Sequence, residues 1–282
     1  MKDKTNLLGI FGFPIRHTLS PALHHAAFHA LGLPYHYLPF EVHPEKLKDA
    51  IAGITALNMK GVNITRPHKE AVIPFLYQLT KDARKIGAVN TIEIVKGRPI
   101  GHNTDGEGFL RSLGDEKIDP TGMRIILLGA GGGARAVAVS LLTRKISKMI
   151  IMARSPVRGS ALAKHLDLLC KSKIEIALHP FDPKKAFSNE PTLLINTTPL
   201  GMKKNDPLPY APALFQLTWV IADLIYTPHK TGLLQAAEKR GLKIVPGIGM
   251  LLHQGALAFE IWMKQSAPIE VMRDALKKAL AS

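Results

Sequence analysis

One cysteine, Cys170, occurs in 282 residues, so no disulfide can close within the chain and a reducing cytoplasm is the expected compartment. Cys170 falls in the helix-like stretch LAKHLDLLCK with no His or Asp arranged to activate a thiol, and it reads as a packing residue. Long apolar runs are also missing. The richest segment, MRIILLGAGGGARAVAVSLL, is interrupted by Gly and Arg, and the opening MKDKTNLLGIFGF has no signal-peptide core, so neither a membrane anchor nor a leader is expected. Aromatic residues are only 6% of the chain, little material for stacking bases. Acidic residues are outnumbered, 22 against 37 basic ones, for a net charge of +15. The basic residues are scattered and never alternate with aromatics, which argues against nucleic acid and for a field that attracts anionic small molecules.

What is present is ordinary globular material: 46% hydrophobic and 21% charged residues, over a length that suits two domains each with its own core. The first hundred residues alternate β-rich runs (LLGIFG, YHYLPF, KGVNIT, AVNTIEIV) with helical ones (PALHHAAFHALG, PEKLKDAIAGITAL, HKEAVIPFLYQL), which predicts parallel βα units. In the first helix Leu23, Ala26, Ala27, Ala30 and Leu31 recur at helical spacing; Ser20 is the expected N-cap, Pro21 the first helical residue and Gly32 the stop. A hairpin-like turn at Lys96 and Gly97 follows. A second series then starts at MRIILL and continues through KMIIMAR, KIEIAL, TLLINTT and WVIADLIY, with helices at RGSALAKHLDLLC and TGLLQAAEKRG, as in a doubly wound sheet. The tail gives two amphipathic helices, GMLLHQGALAFEIWM and PIEVMRDALKKALA, expected to return to the first domain. The expected division is 1–104, completed by 241–282, and 105–240.

GAGGGA, residues 129 to 134, lies between an apolar strand and a helix. That order suits a dinucleotide: Gly129 permits the tight turn, Gly131 lets backbone N–H groups approach a pyrophosphate, Ala134 lets the helix pack closely, and the helix N-terminus favours phosphate. Where an NAD site offers a carboxylate to the ribose, the segment MIIMARSPVR offers Arg154, Ser155 and Arg158 and no acid. A guanidinium pairs with a 2′-phosphate, so NADP is expected over NAD. Upstream, NITRPHK sets Asn63, Thr65 and Lys69 at a strand end, with Pro67 fixing the turn. Asp105 of NTDG, placed beside Lys69, would complete an acid/base pair for carbonyl reduction. His25 and His29 have the i, i+4 spacing of two metal ligands, but no third ligand is evident and no metal is expected.

HTLSPALHH at 17 to 25, NITRPHKE at 63 to 70, GAVNT at 87 to 91, NTDG at 103 to 106, GAGGGAR, DLIY at 223 to 226 and GIGMLLHQ at 247 to 254 together resemble the shikimate dehydrogenase family, in the family's order and across nearly the whole chain. The resemblance implies an α/β substrate domain, a Rossmann domain binding NADP, and C-terminal helices folding back on the first. The implied activity is reversible, NADP-dependent reduction of 3-dehydroshikimate to shikimate in aromatic amino-acid (chorismate) biosynthesis. By the same resemblance Lys69 and Asp105 are catalytic. Thr18 and Ser20, aided by Tyr226, hold the substrate carboxylate, while Asn63, Thr65, Asn90, Asp105 and Gln254 contact its hydroxyls and carbonyl region. Gly129, Ala130, Gly131, Gly132, Gly133, Ala134, Arg154, Ser155, Arg158, Asn196, Thr197, Leu224 and Gly247 form the cofactor set.

Departures from the family pattern are specific. Thr18 stands where Ser is usual, keeping the hydroxyl and adding a methyl that stiffens χ1. Ala153 replaces an Asn of the adenosine site, and Arg66 and His68 replace apolar residues around Pro67. A quinate/shikimate dehydrogenase of dual specificity therefore stays open as an alternative. A non-enzymatic dinucleotide sensor is a second, although it has no need of Lys69 and Asp105 together. The expected partner is the small-molecule substrate, with no nucleic acid or membrane, in a monomer or homodimer.

Overall fold

The computed structural model describes residues 6–15, 18–171, 175–179 and 189–281; His17 of the HTLSPALHH motif and the first two residues of KIEIAL lie outside them. The chain divides into two compact units, Met1–Gly108 with Leu252–Ser282, and Phe109–Leu251. These divisions fall later than the sequence reading puts them, after 108 rather than 104 and at 252 rather than 241. One reason is a short strand, β12 (Lys243–Val245), which pairs with the second sheet and keeps the residues around it in that unit.

The first unit contains β1 (Asn6–Gly12), α1 (Ser20–Ala30), β2 (Tyr35–Glu41), α2 (Leu47–Ala56), β3 (Gly61–Ile64), α3 (His68–Ala71), β4 (Gln78–Leu79), α4 (Lys81–Ile86), β5 (Thr91–Val95), β6 (Arg98–His102) and the start of α5 (Asp105–Asp115). Its sheet has the order β2-β1-β3-β5-β6-β4. The expected parallel units hold for β1, β2 and β3, but β5 runs antiparallel to β3 and β6 antiparallel to β5. The second reversal is local: Lys96 (φ 50°) and Gly97 (φ 74°) make a tight two-residue turn with both residues left-handed, which folds β6 straight back on β5. The helix expected over HKEAVIPFLYQL is confined to α3 and a 3₁₀ turn at Ile73–Phe75, because Pro74 cannot continue it.

In α1, Ser20 is the first helical residue rather than the N-cap, which is Leu19. The buried face is Ser20, Leu23, His24, Ala27 and Phe28, whereas Leu31 is exposed. This stripe is selected by packing: α1 lies against β2, and the His24 ring stacks on Tyr37 with centroids 4.3 Å apart. From the C-terminal tail come α9 (Gly247–Met263) and α10 (Ile269–Ala281). α10 packs along α1, and Trp262 Nε1 donates to the Ile92 carbonyl at 2.9 Å, fixing the end of α9 to this sheet.

The second unit carries β7 (Arg124–Leu128), α6 (Gly132–Leu141), β8 (Lys148–Met152), α7 (Pro156–Cys170), β9 (Glu175–His179), β10 (Thr192–Asn196), β11 (Trp219–Asp223), α8 (Gly232–Lys239) and β12. The strands are all parallel, in the order β12-β11-β10-β7-β8-β9, with the reversal between β10 and β7. RIILL, TLLIN and WVIAD are buried throughout, as strands covered on both faces must be. Ile125 and Leu127 enter one apolar cluster and Ile126 and Leu128 the other, so the alternation of side chains supplies two cores from one strand. Cys170 ends α7 and is only partly buried, so it is not a core packing residue. In a doubly wound sheet of this order, ligands bind beyond the carboxyl ends of the strands at the reversal. Among the described residues, no helix is long and apolar enough to cross a membrane.

Candidate active site and cofactor site

In the first unit the polar groups gather where β3 and β6 end and β5 begins. Lys69, in α3 just after β3, places Nζ 2.6 Å from Asp105 Oδ2 at the start of α5. The carboxylate is buried, 4% exposed, whereas the ammonium retains 19% of its side-chain surface, so the pair is open from the lysine side. Asn90 Nδ2 donates to Asp105 Oδ1 at 3.0 Å, to Thr104 Oγ1 at 2.8 Å and to Gln254 Oε1 at 3.3 Å, while Asn90 Oδ1 accepts from the Thr104 N–H at 2.8 Å. That arrangement fixes which way the amide faces and, through it, the carboxylate. The Thr104 hydroxyl donates to the Gln254 carbonyl at 3.0 Å, joining α9 to the same cluster. Lys69, Asn90, Asp105 and Gln254 are thus brought together, as are their supports.

Asn63 is buried within β3 and its amide is fully used: Nδ2 donates to the Asn90 carbonyl at 3.1 Å and Thr91 Oγ1 at 3.0 Å, and Oδ1 accepts from Tyr37 OH at 2.6 Å. Its donors are therefore spent within the unit, and it braces Asn90. Thr65 follows β3, with its N–H on the Phe11 carbonyl at 2.9 Å. Thr18 Oγ1 donates to Ser20 Oγ at 3.2 Å and accepts from the Ser20 N–H at 3.3 Å, so the two hydroxyls form one unit at the start of α1. Tyr37 and Thr104 escaped the sequence reading. Tyr37 looks like one more alternating strand residue, while Thr104, inside NTDG, sits next to a residue already singled out.

Two departures now have a physical account or a location. His68 is buried, and burial lowers its pKa, so the ring is neutral; Nε2–H donates to the Val42 carbonyl at 2.8 Å. An apolar residue at 68 would fill the space, but His68 also ties α3, and with it Lys69, to the chain after β2. Arg66 is exposed, and its peptide bond to Pro67 is cis; nothing in the structure explains the arginine.

His24 carries a testable consequence. Both its ring nitrogens are buried without a hydrogen-bond partner of normal geometry. Burial first, and then the neighbouring His25, pushes its pKa down to about 3, with the Asn63 amide pulling weakly the other way. A histidine whose folded pKa lies below its unfolded value contributes stability above about pH 6.5 that is lost as pH falls toward 3, because the unfolded chain takes the proton first. Denaturation midpoints measured from pH 7 to 4 should fall more steeply for the parent than for His24→Phe. Parallel curves would remove His24 as a source of acid lability.

In the second unit, Gly129 adopts φ +110°, a conformation open to glycine, and an added Cβ would lie 2.5 Å from Thr197 Oγ1. Ala130 and Gly131 continue the turn, with Gly131 extended at the N-cap of α6; Gly132, Gly133 and the buried Ala134 begin the helix. The first-turn N–H groups of α6 have no carbonyl four residues back to bind and face the strand ends. Thr197 Oγ1 donates to the Leu128 carbonyl at 2.6 Å, coupling the chain after β10 to the glycine turn. Leu224 packs toward Gly133. At the end of β8, Arg154 and Arg158 are exposed, and Ser155 caps α7 by accepting from the Arg158 N–H at 3.4 Å. Ala153 is buried, closely facing Gly159. Asn196 is wholly buried and its amide is saturated, Nδ2 donating to the Leu200 carbonyl and Asp223 Oδ1, each at 3.0 Å, and Oδ1 accepting from Thr198. Tyr226 is half-buried on the turn after β11, and Gly247 opens α9. Among the described residues, no cluster of His, Cys, Asp or Glu suits a metal ion.

Comparison with known proteins finds relatives along the whole chain. Residues 10–92 match the shikimate dehydrogenase substrate binding domain, and residues 247–277 match the shikimate 5'-dehydrogenase C-terminal domain. The shikimate dehydrogenase (NADP(+)) of Desulforamulus reducens is 45% identical, covering 100% of this chain and 98% of the relative. The crystal structure of a shikimate dehydrogenase in complex with NADP+ superposes with a TM-score of 0.90 at 38% identity, covering 99% of this chain and 96% of that one. The Thermus thermophilus enzyme in complex with NADP(H) and shikimate does so with a TM-score of 0.87 at 34% identity, covering 98% and 100%. With such identity sustained from end to end, the chain belongs to the shikimate dehydrogenase family.

Proposed function

We propose that this chain is an NADP-dependent shikimate dehydrogenase, interconverting 3-dehydroshikimate and shikimate in aromatic amino-acid biosynthesis. The observation that carries the reading is the ion pair of Lys69 with the buried, braced Asp105 at 2.6 Å. A dinucleotide sensor needs no such pair. The first unit takes the substrate, and the second takes NADP. The Gly129 turn, the start of α6 and Arg154, Ser155 and Arg158 suit a dinucleotide bearing a 2′-phosphate, since cations and helix N–H groups are present and no acid stands between Met149 and Arg158. When bound, NADPH supplies the hydride.

The chain's own residues manage charge and protons. As the ketone oxygen gains negative charge, the Lys69 ammonium stabilises it and delivers a proton; in the reverse direction the lysine takes that proton back. Asp105 holds the ammonium in place and accepts from the substrate hydroxyl. Asn90 and Gln254 orient the Asp105 carboxylate and the ring hydroxyls, and the Thr18 and Ser20 hydroxyls receive the substrate carboxylate. The substrate and cofactor are small and anionic, which agrees with the charge of +15, and the reaction belongs to the cytoplasm, in a monomer or homodimer. Absorbance at 340 nm with shikimate and NADP, against shikimate with NAD and quinate with NADP, tests the reading. Turnover of quinate at the shikimate rate would replace it with dual specificity, and no turnover would reject it.

Ser20→Ala should raise KM for shikimate by about tenfold, the worth of a hydrogen bond to a charged group, with kcat less affected because the carboxylate is charged in ground and transition states alike. A large fall in kcat at constant KM would instead place Ser20 at the reacting carbon.

A further inference from the structure

We propose that Asp223 is a positioning residue for the cofactor, holding in register the two loops that carry Thr197 and Leu224. The inference rests on the NADP reading above. Asp223 ends β11 and is 1% exposed. Three donors converge on its carboxylate. Asn196 Nδ2 and the Ile225 N–H both reach Oδ1 at 3.0 Å, and Thr231 Oγ1 reaches Oδ2 at 2.7 Å.

Each donor fixes a different piece of backbone. The Ile225 N–H sets the turn that presents Leu224 and Tyr226. Asn196 passes the constraint to the chain after β10, because its Oδ1 accepts from the Thr198 N–H at 3.0 Å and Thr198 Oγ1 at 2.7 Å. Thr231 is also the N-cap of α8, accepting from the Leu234 N–H at 3.4 Å, so the helix start is anchored to the same point. Gly247 closes the arrangement from the fourth side: a Cβ there would meet the Leu224 and Ile225 carbonyls at 2.6 and 2.5 Å. One buried charge therefore sets the loops at the carboxyl ends of β10 and β11, beside the glycine turn that follows β7.

The charge is costly where it stands. Burial raises the Asp223 pKa to about 6, against the pull of Ile225, Thr231 and Asn196. A carboxyl whose folded pKa exceeds its unfolded value makes the fold less stable above that pKa than a neutral group would, and the deficit shrinks as pH falls through about 6. Burial thus works against the ionised form, and the three donors offset part of that cost. An amide at 223 keeps one acceptor oxygen but turns an N–H₂ toward Thr231, so geometry suffers there.

The test is titration of the full-length protein with NADPH, followed by cofactor fluorescence without substrate, alongside melting temperatures at pH 7.5 and steady-state kinetics. Asp223→Asn should weaken NADPH about fivefold and Asp223→Ala about 10- to 100-fold, the span of one to several lost hydrogen bonds. Asp223→Asn should melt no lower than the parent. Its kcat at saturating ligands should stay within about threefold, since Lys69 and Asp105 are untouched. Thr231→Val should weaken NADPH similarly and Thr231→Ser restore it. Parent-like affinity in both Asp223→Asn and Thr231→Val would overturn the proposal. So would losses of affinity that merely track a lower melting temperature. If the parent itself binds no NADPH, the cofactor assignment fails instead.

Discussion

Lys69→Ala is expected to lower kcat by roughly 10² to 10⁴, the span of a general acid/base, with a much smaller change in KM. The argument runs through the timing of charge. The substrate oxygen is neutral in the ketone and anionic as the alkoxide forms, so an ammonium within reach stabilises the transition state more than the ground state. Asp105 keeps that ammonium at 2.6 Å and is itself held by Asn90 at 3.0 Å. Asp105→Asn should also slow turnover, although the amide retains part of the geometry. Because the two residues act as one unit, the double variant should be little worse than Lys69→Ala alone. Removing the lysine leaves a buried carboxylate without its cation, so melting temperatures must accompany the kinetics. Additive losses, or near-parent turnover by a folded Lys69→Ala protein, would remove the pair from the chemistry.

How far such a site is legible beforehand depends on whether its parts are local in sequence. The glycine turn is local: strand, GAGGGA and helix follow one another, and the structure keeps them as β7, a turn with Gly129 at φ +110°, and α6. Lys69 and Asp105 are 36 residues apart, and their contact is created by β3, β5 and β6 pairing, so spacing only permits it and the family resemblance supplies it. Tyr37 and Asn63 meet the same way, across the sheet through β1. Short elements were lost for another reason. α4 has six residues and β12 three, too few for periodicity to register, even though Thr80 and Gly87 mark the ends of α4 as a cap and a left-handed stop. The turn at Lys96 and Gly97 was readable, but that it leaves β5 alone running against the other five strands was hidden by the expectation of parallel units. Ser20 shows the opposite failure: a good capping residue is drawn inside the helix, with its hydroxyl and N–H both paired to Thr18.

Replacing Arg154 with Ala should weaken NADP binding by about 1.5 to 3 kcal/mol, roughly 10- to 150-fold, and leave NAD nearly unchanged. Arg154 stands one residue beyond the buried Ala153 at the end of β8, the strand next to β7, where doubly wound sheets meet the adenosine ribose. Its side chain is exposed, so it sacrifices no core contact when truncated, and the fold should be unaffected. On the proposed reading Arg158 and the Ser155 hydroxyl would remain as further contacts, which should keep the loss below what a sole phosphate ligand would give. The Arg154 contribution should shrink with added salt, since an exposed guanidinium and a phosphate are screened over about 8 to 10 Å at 0.10 to 0.15 M ionic strength. Dissociation constants for NADP and NAD, measured side by side on parent and Arg154→Ala at two salt concentrations, decide the matter. Equal losses for the two cofactors would mean that Arg154 serves the shared part of the dinucleotide and that selection of the 2′-phosphate lies elsewhere.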